Sequence, residues 1–351
     1  MNAPSVNRQW VLARRPVGAV SPDDFRLVEN TIPSLTAGDV LIRSLYFGYD
    51  ASQRIWLHDD GGYLPPIEIG DPMRAIGIGQ VVESRNPKYV PGDLIEGPLS
   101  WQDYVVVRES SWKPVRKLPA TGHPLSWHLG VFGVGGLTAY LGLVDGLQVR
   151  SGDAVLVSAA TSSVGSLAAG IAKSLGAASV TGIAGGADKC RWLVDKAGYD
   201  AAIDHRAGDL DGQLDSQLPG GVDAYFDNVG GEILDAVLLR MARFGRIVIS
   251  GAMSSDYTSL DQAGPANFQQ ICSRMLTVRG ILLPLYDSGL PLYDSGRLSE
   301  AADALGDLVD DGHLHVAEHV VEGFENAPAV LPRVLDRAEP GKLILKVAEP
   351  D

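Results

Sequence analysis

The hydrophobic positions change period along the chain. Through about residue 128 they form short apolar runs broken by Gly and Pro, at residues 39–45, 75–82, 93–96 and 101–107. Runs of this length, bounded by turns such as Pro91-Gly92-Asp93, predict β-strands. With no helical pattern between them, they predict an all-β, barrel-like unit. From about residue 150 the pattern alternates. Residues 153–159, 179–184, 201–204, 222–227, 245–251 and 278–283 read as strands. Residues 164–175, 188–196, 233–241 and 300–310 read as helices, the first of them closed by Gly176 at a C′ position that suits glycine. Strands alternating with helices predict βαβ units, a parallel sheet and right-handed crossovers. Residues 318–321 and 342–347 return to strand-like sequence and are expected to rejoin the first unit. The fold class expected is α/β, with boundaries at 1–128, 129–317 and 318–351.

Composition narrows the function. The 351 residues are 45% apolar and 21% charged, which is ordinary for a globular protein of about two domains. The formal net charge of −14 argues against a nucleic-acid partner, which needs clustered Lys and Arg, although one basic pocket for a phosphate is still allowed. Two cysteines, Cys190 and Cys272, supply neither a disulfide framework nor a four-thiolate zinc site, and a reducing compartment follows. The first residues lack an apolar signal-peptide core, and no uncharged apolar run approaches the ~20 residues that span a bilayer. A cytoplasmic protein with no membrane partner is expected.

The strongest chemical motif is the strand–turn–helix Val155-Leu-Val-Ser-Ala-Ala-Thr-Ser-Ser-Val-Gly165. Small residues that end a strand and open a helix leave backbone N–H groups and the positive dipole end facing one place, which suits a pyrophosphate. The GxGxxG form is absent, but Ala160, Ser163 and Ser166 stand at its glycine positions and still permit close approach. A plain buried turn is the competing reading. An NAD enzyme would carry Asp or Glu at the end of the second strand. Here Ala184, Gly185 and Gly186 leave room, and Lys189 with Arg191 offers charge to a 2′-phosphate, which favours NADP. Solvated cations at a helix start are the alternative.

Trp10-Val-Leu-Ala-Arg-Arg-Pro16, Met73-Arg74 with Gly77-x-Gly79-x-Val81-Val82-x-Ser84, Gly136-Leu-Thr-Ala-Tyr140, Lys189-Cys-Arg-Trp-Leu193, Tyr225-Phe-Asp-Asn-Val-Gly-Gly231 and Gly341-Lys342 span nearly the whole chain. Together they resemble the zinc-independent medium-chain dehydrogenase/reductases, in the leukotriene B4 12-hydroxydehydrogenase, prostaglandin reductase and alkenal double-bond reductase group. The resemblance implies a GroES-like β-barrel catalytic domain, a Rossmann domain, NADP as cofactor, a homodimer, and reduction of α,β-unsaturated aldehydes or ketones. Residue by residue, it implies that Ser162, Ser163, Val164 and Gly165 sit on the pyrophosphate. Gly185, Lys189 and His205 would lie at the 2′-phosphate, Thr138 near the nicotinamide and Asn228 on the ribose–phosphate. Ser250, Gly251 and Tyr257 would flank the nicotinamide ribose, with Ile281 and Leu283 along the carboxamide. Ser52, Tyr63, Tyr257 and Tyr286 would face the small-molecule substrate. The chain departs from the group where Ser162 replaces a glycine, His205 a tyrosine, Glu339 an asparagine and Ser52 a pocket tyrosine.

No cysteine precedes Cys190, so a Cys-His-Cys catalytic zinc in the first unit is excluded. Carbonyl polarisation must come from hydrogen-bond donors. The expectation is hydride transfer from NADPH to the β-carbon of an enone or enal, with Tyr257 donating to the enolate oxygen. Two alternatives stay open: a carbonyl reductase or alcohol dehydrogenase using the same site, and a non-catalytic NADP-binding protein. His313, His315 and His319 read as solvated histidines rather than metal ligands. Trp56, Tyr63, Trp101 and Trp127 read as core packing rather than a pocket wall. The repeated heptapeptide Leu283-Pro-Leu-Tyr-Asp-Ser-Gly289 and Leu290-Pro-Leu-Tyr-Asp-Ser-Gly296 reads as a tandem duplication, or else as a loop carrying Tyr286 and Tyr293 over a pocket.

Overall fold

The computed structural model describes residues 6–59, 62, 64–108, 115–119, 122–255, 264–283, 296–336 and 338–351. The chain divides into two compact units, Met1–Gly130 with Glu318–Asp351, and Val131–Ala317. Among the described residues no helix is long and apolar enough to cross a membrane.

The first unit starts with the antiparallel ribbon of β1 (Val6–Leu12) and β2 (Phe25–Thr31), followed by β3 (Val40–Tyr49), β4 (Ile76–Ser84), β5 (Leu94–Pro98), β6 (Tyr104–Val107) and β7 (Arg116–Lys117). The second unit contains α1 (Val134–Leu141), β8 (Ala154–Val157), α2 (Gly165–Ser174), β9 (Ser179–Ala184), α3 (Ala187–Asp195), β10 (Ala201–Asp204) and α4 (Leu210–Gln217). It continues through β11 (Val222–Asp227), α5 (Gly231–Leu238), β12 (Met241–Ile249), α6 (Gln269–Ser273), β13 (Thr277–Gly280) and α7 (Arg297–Asp310). The chain then returns to the first unit as β14 (Glu318–Glu322), α8 (Ala327–Leu335) and β15 (Lys342–Lys346).

In the first unit the strands run β14-β15-β3-β4-β5-β7, antiparallel except for the parallel pair β14/β15. One edge of β3 is shared. Its first residues pair with β6 and its last with β15, so the sheet splays there. The core closes around Trp101, whose ring lies 5.0 Å from that of Phe25 and 5.4 Å from that of Tyr49. Trp56 and Trp101 are both buried in this cluster, the packing role the sequence favoured for them. Lys342 is buried at the start of β15, and its ammonium lies 2.6 Å from Asp50 Oδ1. Asp50 opens the short helical turn Ala51–Leu57, where Gln53 bonds back to the Asp50 N–H at 3.0 Å.

The second unit is a six-stranded sheet in the order β10-β9-β8-β11-β12-β13, with every pairing parallel. Counted along the unit this is 3-2-1-4-5-6, the doubly wound Rossmann order. Its central strand β8 is apolar and buried, as a parallel strand covered on both faces must be.

Several elements differ from the sequence reading, which places no strand or helix at β1, β2, β7, α1 or α6. Met241 is not the end of a helix. The helix stops at Leu238, and Met241 opens β12 opposite Val222. Helical spacing from Leu238 and burial in a strand look alike in sequence when no Gly or Pro intervenes. Helix α4 went unread because only Leu214 of its eight residues is buried, which leaves almost no apolar stripe. Helix α8 went unread because Pro332 lies inside it.

Burial has a pH consequence in the first unit. His128, 4% exposed, has its pKa pulled down to about 4 by desolvation, with smaller contributions from Arg116 and His123. The folded chain holds it neutral while the unfolded chain protonates it near pH 6.5, so acid favours unfolding. Stability should fall by about 3 kcal/mol as pH drops from about 6.5 to 4, and the loss is complete below that. Glu318 acts in the opposite sense. Burial raises its carboxyl above the usual range despite the Ser126 hydroxyl donating to it at 2.8 Å, so it contributes stability as it protonates on acidification. Urea melts of His128→Asn across pH 4–7 should show a flatter pH dependence than wild type; an unchanged slope would remove His128 as the cause.

Candidate cofactor site

In a doubly wound sheet the ligand side is the carboxyl edge, and a crevice opens where the strand order reverses. Here the reversal falls between β8 and β11, which pair directly.

The turn leaving β8 is tight. Ala159 takes φ +46°, unusual for a residue with a side chain. Ser162 Oγ accepts the Gly165 N–H at 3.0 Å, and its carbonyl accepts the Ser166 N–H at 2.8 Å, so Ser162 caps the entry to α2. With its lone pair used there, the Ser162 hydroxyl proton is left for an acceptor. A Cβ at Gly165 would stand 2.5 Å from the Ala159 carbonyl oxygen and 2.6 Å from Ala160 Cα, so only glycine fits. This is the helix-to-strand packing that the last glycine of a dinucleotide fingerprint permits. The Ser163 hydroxyl is buried without a partner, and Gly135 makes room for it, since a Cβ there would meet Ser163 Oγ at 2.2 Å. Val164 completes the turn.

At the end of β9, Gly185 and Gly186 carry no side chain into the space beyond the sheet. A Cβ at Gly185 would lie 2.8 Å from Arg206 Nε and 2.9 Å from His205 Nε2, so both cationic-type side chains fold over this glycine. Asp204 is turned inward. Its Oδ1 accepts the N–H groups of Gly186 at 2.7 Å and Arg206 at 2.9 Å. Those backbone bonds hold its carboxyl below the usual range, with His205 and Arg206 adding to the effect. Lys189 is half-buried on the first turn of α3. Arg191 pairs with Asp188 on the exposed face of the same helix. Arg206 was missed in the sequence. Its signal is a basic residue directly after the third strand, rather than at the end of β9.

Past the reversal, Asn228 follows β11. Its side-chain Nδ2 donates to the Ser158 carbonyl at 2.8 Å, which fixes the amide so that its oxygen is the group left to accept. The segment 250–255 hangs on the same place. Ser250 N–H bonds the Asp227 carbonyl at 2.8 Å, Met253 N–H that of Asn228 at 3.3 Å, and Ser254 N–H that of Val229 at 2.9 Å. Ser250 and Gly251 therefore stand beside Asn228. Ile281 N–H bonds the Ile249 carbonyl at 3.0 Å, which sets buried Ile281 and Leu283 just beyond β13. Thr138 is buried on α1.

The sheet thus brings Ser162, Ser163, Val164, Gly165, Gly185, Lys189, His205, Asn228, Ser250, Gly251, Ile281 and Leu283 to its carboxyl edge. Ser52 is half-buried on the Ala51–Leu57 turn of the first unit. Tyr63, Tyr257, Tyr286 and Tyr293 lie outside the described residues. Glu339, where the group has asparagine, is ion-paired to Arg333. His315 packs edge-on against Trp192, ring centres 6.0 Å apart. Among the described residues no group of three or more His, Cys, Asp or Glu is placed to hold a metal ion.

The arrangement fits a phosphorylated nicotinamide dinucleotide. Gly165 has no room even for a methyl group and lets helix and strand close, Gly185 is overhung by His205 and Arg206 while the neighbouring Asp204 carboxylate is taken up by backbone N–H groups, and an amide oxygen is oriented to accept from a hydroxyl.

Comparison with known proteins agrees. Residues 8–115 match the family model described as the N-terminal domain of oxidoreductase, and residues 163–291 the one described as zinc-binding dehydrogenase. The chain is 37% identical to an NADPH-dependent curcumin reductase of Escherichia coli over 98% of both chains. It is 36% identical to prostaglandin reductase 1 of Bos taurus, over 97% of this chain and 98% of that one. The crystal structure of CurA in complex with NADPH from Vibrio vulnificus superposes with a TM-score of 0.87 at 33% identity, covering 98% of this chain and 100% of that one. The chain belongs to the zinc-independent medium-chain dehydrogenase/reductases, in the group of the prostaglandin and alkenal double-bond reductases.

Proposed function

We propose that the protein reduces the C=C bond of α,β-unsaturated ketones or aldehydes with NADPH, without a catalytic metal. The observation that carries this reading is the end-to-end similarity to double-bond reductases, 37% identity over 98% of the chain, on a sheet edge built for a phosphorylated dinucleotide. Bound NADPH supplies a hydride to the β-carbon. Ser162, Ser163, Val164 and Gly165 hold the pyrophosphate. Lys189 and His205, joined by Arg206 over Gly185, hold the 2′-phosphate. The Asn228 amide oxygen accepts a ribose hydroxyl, and Thr138, Ser250, Gly251, Ile281 and Leu283 surround the nicotinamide half. Tyr257 donates its phenolic proton to the enolate oxygen, and Ser52, Tyr63 and Tyr286 are the residues we assign to substrate recognition. The absence of cysteine before Cys190 supports the metal-free route.

The protein works as a cytoplasmic homodimer in this reading. Strand β13 supports the dimer, because it ends the parallel sheet with all four residues exposed and, among the described residues, no strand pairs with its outer edge.

The test is product analysis after incubation with NADPH and a simple enone. A saturated ketone is expected. An allylic alcohol would favour carbonyl reduction, and tight NADPH binding without turnover a non-catalytic role. Tyr257→Phe should lower kcat/KM by about 10²-fold, the usual magnitude for one oxyanion donor; unchanged kinetics would remove Tyr257 from the chemistry.

A further inference from the structure

We propose that Asp227 is a positioning residue whose buried charge favours the oxidised form of the bound cofactor over the reduced form. Asp227 ends β11 at the strand-order reversal and is fully buried. Its Oδ1 accepts four hydrogen bonds, each 2.9 Å long, from the Ser158 and Tyr225 hydroxyls and the N–H groups of Val229 and Gly230. Its Oδ2 is buried without any partner, and no ion pair among the described residues neutralises the carboxylate.

Two consequences follow from that geometry. The first is mechanical. Ser158 joins the carboxylate to Asn228, taking the Asn228 N–H on its hydroxyl at 2.9 Å and the Asn228 side-chain amide on its carbonyl at 2.8 Å. The backbone that presents Asn228, and the segment 250–255 hung from it, are therefore held by one acid. The second is electrostatic. Giving up a hydride turns a neutral dihydropyridine into a pyridinium cation. A fixed negative charge in a low-dielectric interior lowers the energy of a nearby cation and leaves a neutral ring almost unaffected. A purely mechanical role would hold both forms equally well. The inference rests on the placement of the nicotinamide half at the ends of β11, β12 and β13.

The test measures dissociation constants of NADP⁺ and NADPH by calorimetric titration of the full-length protein, with no substrate present. In Asp227→Asn, which keeps the shape and removes the charge, the ratio Kd(NADP⁺)/Kd(NADPH) should rise about tenfold, the scale of one charge acting across a protein interior. Tyr225→Phe keeps the charge and removes one of its donors, so the ratio should fall about twofold. Equal changes in both constants in Asp227→Asn would overturn the proposal and leave Asp227 as scaffold. Should that variant fail to fold, Tyr225→Phe decides alone, and an unchanged or higher ratio overturns it. Wild-type protein that binds neither form would overturn the cofactor site itself, and the proposal with it.

Discussion

Gly165→Ala should reduce NADPH affinity at least a hundredfold and destabilise the second unit by roughly 1–3 kcal/mol, the usual cost of overpacking. The added methyl would stand 2.5 Å from the Ala159 carbonyl oxygen, 2.6 Å from Ala160 Cα and 2.8 Å from the Ala160 carbonyl carbon. All three are backbone atoms of the turn itself, and Ala159 already occupies a left-handed conformation. Relief requires α2 to back away from β8, which takes the Ser162 cap and the Ser163 hydroxyl with it. Thermal melts without cofactor read the packing cost, and NADPH titration below the new melting temperature reads the binding loss. Unchanged affinity would show that no phosphate is held at this turn.

Arg206→Ala should raise the Kd for NADPH about 10- to 50-fold and leave that for NADH within twofold. A charge-assisted contact to phosphate contributes about 1.5–3 kcal/mol, and NADH has no 2′-phosphate to receive it. Arg206 is exposed, its guanidinium arches over Gly185, and its removal leaves no buried group unsatisfied, so stability should hardly move. Arg191→Ala is the matched control. That guanidinium faces Asp188 on the exposed surface of α3, whereas Arg206 lies over Gly185, and its loss should change neither constant more than twofold. Equal weakening of both dinucleotides in Arg206→Ala would place Arg206 at the shared part of the cofactor instead.

What could be read in advance follows from where the physics is local. The alternation of β8, α2, β9, α3 and β10 was legible because short runs rich in Ala, Val, Ile and Leu alternate with longer segments and each helix starts or ends on a small residue. The phosphate turn was legible for the same reason, although Ser162 disguises a glycine position. The order of the strands rests on pairings between residues far apart, such as Tyr225 opposite Leu156, and no local pattern encodes them. Arg206 stands directly after the third strand, but its relevance to Gly185 depends on β10 lying beside β9, which no local pattern encodes. Asp227 was visible only as part of a motif, since its burial and its bond from Ser158, 69 positions away, depend on β8 lying beside β11. Elements with a weak or interrupted apolar stripe, α4 and α8, could not be distinguished from loop.

The place of β15 in the first sheet has a consequence for how the molecule is made. The strand lies between β14 and β3, and the Lys342 ammonium reaches Asp50 across 292 positions of sequence. The first 130 residues therefore emerge from the ribosome before the strand that completes their sheet exists. The Rossmann unit, contiguous from Val131 to Ala317, meets no such delay and can finish first. Until synthesis reaches residue 346, the shared edge of β3 is bare along Tyr46–Tyr49. That interval is when the nascent chain is most exposed to pairing with the wrong strand, and when a chaperone has most to protect.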